Sequence, residues 1–367
     1  MRGGAEQAST PRPKAGTLAQ RRRPPRLQRR VNMNLLTELT IRPLRTEERE
    51  AWNDHVAASN NGTLFHDLDF LAYHPAGRFD FRHLVALRGD RIEAVIPGAV
   101  RPDGIFASPA GASVGGPVVT RSLRLHGALE VIERLQAHSR TQDWRGIEFT
   151  LAPAVYDNEP NQLIDFALHA AGFKLVHRAM PLLLPLRHSQ SARYQNLFTQ
   201  SRRSYVRASR RKGVRVLKAK SEAAPAFLDL LQETYGRLDR PPTHTSDEIM
   251  DLCRRLPDRI QIWLAWIDDI AIAGILLFIL NRNVCCTFYI CDRGSHRQYH
   301  GSTVLIADLI DILGDQDFRY LDLGPSASNT HLNRGVLYFK ESLGARGFCR
   351  DTWRWDARAD FSRAAWL

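Results

Sequence analysis

Residues 318 to 346, FRYLDLGPSASNTHLNRGVLYFKESLGAR, collect side chains suited to anion-stabilising and acid–base chemistry. A short apolar strand-like run carries Asp322, reaches Gly324-Pro325-Ser326 and is followed by Tyr338-Phe339-Lys340. Loops that follow buried strands are where scaffolds usually carry function. A lysine fixed beside such a loop can hold an acidic ligand or a developing oxyanion. Ser326 and Tyr338 can add hydrogen bonds. Asp322 sits in apolar sequence, where burial would raise its pKa towards that of a useful proton acceptor. His300 and Glu341 are the other candidates for that role.

A second constellation precedes it. Asp292-Arg-Gly-Ser-His-Arg297-Gln-Tyr-His-Gly301-Ser302-Thr303 runs straight into helix-like sequence. Free N–H groups at a helix start bind anions, so Arg297, Gly301, Ser302 and Thr303 form a candidate phosphate site. From Thr199 to Lys220 the chain carries nine Lys/Arg and no acid, with Arg203, Arg207 and Arg210 on one helical face. Such a face attracts polyanions, and it is equally what a solvated helix face looks like. Apart from Tyr205 it has no aromatic platform for reading bases.

The elements that must position these residues repeat. Trp144-Arg-Gly-Ile-Glu-Phe-Thr-Leu-Ala-Pro153 follows an amphipathic helix-like run at 123 to 139, and Phe318-Arg-Tyr-Leu-Asp-Leu-Gly-Pro325 follows another at 302 to 314. Each pairs an aromatic and a basic residue with a strand containing an acid, Glu148 or Asp322. About 25 residues later, Ala171-Gly172-Phe173 is echoed by Arg346-Gly347-Phe348, each before another strand-like run. A tandem duplication of one α/β unit accounts for the echo. In the second half Ile260 to Ile267 and Ala271 to Leu280 read as strands joined through Asp268-Asp269, and Val284 to Cys291 as a third. Gly274 to Leu280 is apolar on both faces and belongs inside a covered sheet. Ser302 or Thr303 can cap the next helix. Hairpins with one helical crossover predict an α/β fold of mixed, α+β type rather than a doubly wound one.

With 367 residues, 44% apolar and 25% charged, the chain is of soluble globular composition and long enough for about two domains. No apolar run approaches the roughly 20 residues that span a bilayer. Residues 1 to 32 hold much of the formal charge of +12 in a Pro-rich setting around Arg21-Arg22-Arg23-Pro24-Pro25 and read as a disordered basic tail without an apolar signal region. Residues 33 to 186 and 187 to 367 are the expected domains. The five cysteines lack CxxC spacing and read as reduced buried thiols of a cytoplasmic protein. The 13 histidines form no HExxH pair, so no metal is expected.

The two-half layout, Phe65-His66 after Trp52, Gly115-Gly116-Pro117, the basic helix ending Lys212-Gly213-Val214 and the terminal Phe339-Lys340-x-x-x-Gly344-Ala345 together resemble the FemAB/FemX-like branch of the GNAT superfamily, including BioF2-like and CelD-like acetyltransferases. The resemblance covers about residues 35 to 357. It implies tandem GNAT-like domains and acyl or aminoacyl transfer to an amine, with the active site mainly in the second. Lys340 matches the lysine that lies at the substrate site of FemX-like proteins. The usual Arg/Gln-x-x-Gly-x-Gly/Ala loop departs here to Arg297-x-x-x-Gly301-Ser302.

The expectation is an acyltransferase with acyl-CoA as co-substrate and an amine of a small-molecule or cell-envelope precursor as acceptor. Lys340, Asp322 and Tyr338 are the expected catalytic residues, Arg297, Gly301, Ser302 and Thr303 hold the carrier, and Ser326, Arg203 and Arg207 meet substrate. The alternatives are an aminoacyltransferase fed by aminoacyl-tRNA and a non-catalytic nucleic-acid-binding protein on the same fold.

Overall fold

In the computed structural model of the chain, residues 37–186, 193–329 and 331–358 are described. The basic tail 1 to 32 falls outside them, as does residue 187 of the expected 186/187 domain junction. The first part runs β1 (Leu39–Pro43), α1 (Arg49–Ala58), β2 (Leu84–Arg88), β3 (Arg91–Ile96), β4 (Ile105–Ser108), α2 (Leu125–Thr141), β5 (Gly146–Thr150), α3 (Leu163–Ala170) and β6 (Lys174–Pro185). The second runs α4 (Gln200–Arg211), β7 (Arg215–Lys218), α5 (Ala224–Arg237), α6 (Ser246–Arg255), β8 (Ile260–Ile267), β9 (Ile270–Ile279), β10 (Val284–Asp292), α7 (Gly301–Asp315), β11 (Tyr320–Ser328), α8 (Arg334–Ser342) and β12 (Arg350–Asp356).

The hairpin β8–β9 forms where the apolar runs predict it, closing at Ile267–Ile270. Asp268 takes a left-handed φ of 48°, a conformation a short polar side chain tolerates. β9 is covered on both faces. Its Leu276 and Phe278 join Phe227 and Leu230 of α5 in one core, while Ala273, Ile275 and Leu277 join Val304, Leu305 and Leu309 of α7 in another. Each of these side chains other than Ala273 contributes roughly 1.5–3 kcal/mol by leaving water. The large mixed sheet therefore has order β7–β8–β9–β10–β11–β6–β12–β5–β4, and β1, β2 and β3 form a smaller sheet.

Within the large sheet the same unit occurs twice. β4 and β5 are parallel and connected through α2; β10 and β11 are parallel and connected through α7. Glu148 occupies the third paired position of the first pair, opposite Ala107, and Asp322 the third of the second, opposite Cys286. The sequence echo is thus an echo in register. The closing strands are exchanged: β6 of the first part lies beside β11 of the second, and β12 returns to pair with both β6 and β5. Two halves of mixed α/β type share one sheet.

The start of α7 differs from the capped start expected at Ser302 or Thr303. It begins at Gly301 behind His300, which is left-handed at φ 45° and offers no side-chain cap. Packing fixes this position, because a Cβ on Gly301 would lie 2.9 Å from Ala273 Cβ and 3.1 Å from Ile272 Cγ1. Gly301→Ala is therefore expected to cost about 1–3 kcal/mol by overpacking, read by chemical denaturation.

Candidate active site

β10 and β11 pair only from Val284–Tyr320 to Cys286–Asp322, after which β10 follows β9 and β11 follows β6. The parallel strands diverge there and open a wedge. The corresponding wedge of the first half is closed again by a bridge between Gly115 and Leu151. Gly324-Pro325-Ser326 is not a loop beyond the strand, as expected from sequence, but an irregular part of β11 with register shifts on both sides of Pro325. Pro325 faces Pro181, and two residues without N–H groups cannot continue a ladder.

This irregular segment seats Lys340. The ammonium Nζ, buried and reached from α8, donates to the carbonyls of Gly324 at 2.8 Å and Pro325 at 3.2 Å. Gly324 has φ 78°, which glycine adopts at no steric cost and which turns that carbonyl to the lysine. An ammonium has three N–H donors, so one remains for a ligand. Burial pushes the Lys340 pKa down to about 8, partly offset by the Asp322 carboxylate. Ser326 is 7% exposed, and its Oγ is buried without a hydrogen-bond partner among the described residues.

Asp322 lies beneath this cradle at 2% exposure. One carboxylate oxygen accepts from the Tyr156 hydroxyl, the other from the Gly324 N–H at 2.6 Å, and Thr287 Oγ1 donates to its carbonyl at 3.1 Å. Burial raises its pKa, opposed chiefly by the Tyr156 bond. Glu148, its register counterpart, is instead ion-paired to Arg101 at 2.7 Å and lies 3.7 Å from Arg354. One architectural position thus carries a surface ion pair in one half and a buried carboxylate in the other.

The remaining expected residues are placed as follows. Tyr338, 70% exposed, lies two positions from Lys340 on α8 and so on the opposite side of that helix. It is not brought to the lysine. Arg203 donates to the carbonyl of Gln195 at 3.0 Å and Arg207 to Ser204 Oγ at 3.2 Å, while Arg210 is ion-paired to Asp308. It is Arg202 that reaches α8, donating to Ser342 Oγ at 2.8 Å with its guanidinium 5.0 Å from the centre of the Phe339 ring. At the start of α7, the amides of Thr303 and Val304 both turn back to the His300 carbonyl, leaving those of Gly301 and Ser302 as the helix's open end. Thr303 is buried, Ser302 half-buried and Arg297 exposed there. The His300 ring stacks on Tyr205 of α4, centroids 4.0 Å apart. Burial pushes the Cys291 thiol up to about 12, which leaves no thiolate for nucleophilic chemistry.

Sequence reading missed Tyr156, Arg202 and the surroundings of His244. The Arg237 to His244 turn buries His244 between Tyr73 and Tyr289, whose hydroxyls each lie 2.9 Å from a ring nitrogen. A cleft of about 670 Å³ opens over the first half, lined by Arg78, Arg101, Ser108, Gly111, Glu148 and Thr150 among others. No helix among the described residues is long and apolar enough to cross a membrane.

Residues 196–340 match the family described as the acetyltransferase (GNAT) domain. No curated protein matches the chain by sequence. Among solved structures, FemX is 12% identical with a TM-score of 0.66, covering 86% of this chain and 97% of FemX. L-PGS from Bacillus licheniformis is 11% identical with a TM-score of 0.57, covering 87% of this chain and 94% of that one. The C-terminal domain of a putative lysylphosphatidylglycerol synthetase from Agrobacterium fabrum is 12% identical with a TM-score of 0.55, covering 84% and 91%. Residues 196–340 thus resemble a GNAT acetyltransferase domain, and the described fold resembles that of FemX.

Proposed function

We propose that this protein is an N-acyltransferase that moves an acyl group from acyl-CoA to the amine of a small-molecule or cell-envelope precursor, with the transfer centre in the half that follows residue 186. The observation that carries this reading is the pair of unspent donors at the wedge: the third N–H of Lys340 and the hydroxyl of Ser326. Attack of an amine on a thioester carbonyl builds negative charge on the carbonyl oxygen, and buried donors already held in place stabilise it without reorganising. The carbon–nitrogen bond forms first, giving the tetrahedral oxyanion; its collapse breaks the carbon–sulfur bond, the nitrogen sheds one proton to water, and CoA leaves as the thiolate that a proton from water then neutralises.

Lys340 is the electrostatic group and Ser326 its neutral partner. Asp322 is a positioning residue in this scheme, because both its oxygens already accept hydrogen bonds and it is sealed from solvent. Tyr338 has no role at the transfer centre. The open end of α7, with Gly301 and Ser302 N–H groups and Arg297 nearby, takes the carrier's phosphates. The cleft lined by Arg78, Arg101 and Thr150 receives the acceptor.

Aminoacyl-tRNA is the donor in the second reading, favoured by the basic helix α4, whose Arg202 touches α8 beside Lys340. The two part in a thermal-shift experiment. A ligand at 100 times its Kd stabilises the folded state by about 2.7 kcal/mol, so saturating CoA is expected to raise Tm by several degrees. No shift with CoA and a salt-sensitive shift with charged tRNA would reverse the assignment of donor.

A further inference from the structure

Arg350 opens β12 and is half-buried, yet its side chain makes no hydrogen bond or ion pair with any described residue. Strand register fixes its surroundings. Arg350 pairs with Ala179 of β6, four residues before Leu183, which pairs with Asp322. The β6–β11 register shifts all add residues to β11, so β6 stays regular between Ala179 and Leu183, and Arg350 and Asp322 share one sheet face. The positive charge of Arg350 is accordingly felt by buried Asp322 and Tyr156.

The same face continues the other way. Thr352, two residues on, shares a 2.9 Å hydroxyl contact with Thr150, which lines the first-half cleft. Arg350 therefore stands between that cleft and the Lys340–Ser326 pair. A half-buried guanidinium whose N–H groups meet no acceptor pays desolvation unless one arrives. Glu148 and Asp322 flank the face and disfavour a doubly charged phosphate, whereas a single carboxylate fits a guanidinium fork.

We propose that Arg350 binds a carboxylate on the acceptor, so that the protein takes amines that also carry an acid group, as amino acids and peptides do. This rests on the acyltransferase reading for the word acceptor, but the binding of a carboxylate does not depend on the donor. Arg350 grips the acceptor at its acid end while its amine reaches the carbonyl held by Lys340 and Ser326.

The test uses L-lysine and cadaverine, which present similar amines with and without a carboxylate, titrated calorimetrically into the full-length protein. The wild type is expected to bind L-lysine at least about tenfold more tightly than cadaverine, the gain of one charge-assisted contact. Arg350→Gln should remove that preference and Arg350→Lys keep part of it, both with the CoA-induced Tm shift of the wild type. Should Arg350→Gln fail to fold, the partial loss in Arg350→Lys carries the test. A wild type without preference for the carboxylate, whether it binds both probes or neither, overturns the proposal, as does a preference surviving in folded Arg350→Gln. An Arg350-dependent preference in a protein that ignores CoA would sink the acyl-CoA reading and leave this one standing.

Discussion

Lys340→Ala is expected to lower acyl transfer about a hundredfold to a thousandfold in kcat, the usual cost of one oxyanion donor, while CoA binding changes by less than about twofold. The separation follows from geometry. Lys340 faces the wedge between β10 and β11, held by the Gly324 and Pro325 carbonyls, whereas the open end of α7 lies past the far end of β10. The pH profile should carry the same signature. Burial sets the Lys340 pKa at about 8, so the ammonium that stabilises the oxyanion is lost as pH rises through that value, and kcat should fall there. The linkage to stability has the opposite sign. A lysine pKa depressed from 10.5 to about 8 means the folded state releases its proton first, so this group costs stability below about 8, and that cost is relieved as pH rises towards 10.5. Steady-state kinetics and denaturation across pH 6 to about 10 would show an activity limb and a stability limb moving in opposite directions.

Tyr156→Phe is the second large effect. The phenol comes from the loop after β5, in the first half, and donates to a carboxylate on β11 in the second. Removing its hydroxyl leaves a buried carboxylate oxygen unsatisfied, at about 1–3 kcal/mol, which should appear as a Tm lower by several degrees. Activity should fall about tenfold, because Asp322 also holds the Gly324 N–H whose residue cradles Lys340. Asp322→Asn provides the electrostatic counterpart. It removes the charge that supports the Lys340 ammonium, so the alkaline limb of the pH–rate profile should move to lower pH. An unmoved limb in a folded Asp322→Asn protein would disconnect the carboxylate from the lysine.

Local patterns made much of this arrangement legible. The apolar runs at 260 to 267 and 271 to 280 became the hairpin β8–β9, and the echo of Glu148 in Asp322 became an identity of register between two parallel pairs. Lys340, Asp322 and Ser326 lie within one short stretch of chain, and the structure does bring them together. Tyr338 failed for a definite reason. Read as chain beyond a loop, Tyr338 and Lys340 could face one way; as part of a helix they cannot. Asn333, whose side chain accepts from the Val336 N–H, was the available N-cap signal for that helix.

What stayed illegible is what comes from far away. Tyr156 meets Asp322 across 166 positions and Arg202 meets Ser342 across 140, and no periodicity reports such distances. Arg350 is similar, since only the exchange of closing strands between the halves carries it to the Asp322 face. The basic helix shows the converse error. Its charges look alike in sequence, but Arg210 is neutralised by Asp308 while Arg202 turns to the site.

Competitive acylation of lysines with acetic anhydride across pH, read residue by residue by mass spectrometry, tests the central claim most directly. The account predicts that Lys340 titrates at about 8 and that bound acetyl-CoA slows its labelling, while exposed Lys218 is unaffected. A Lys340 that titrates near 10.5, labels as fast as Lys218 and is not protected by acetyl-CoA would contradict it.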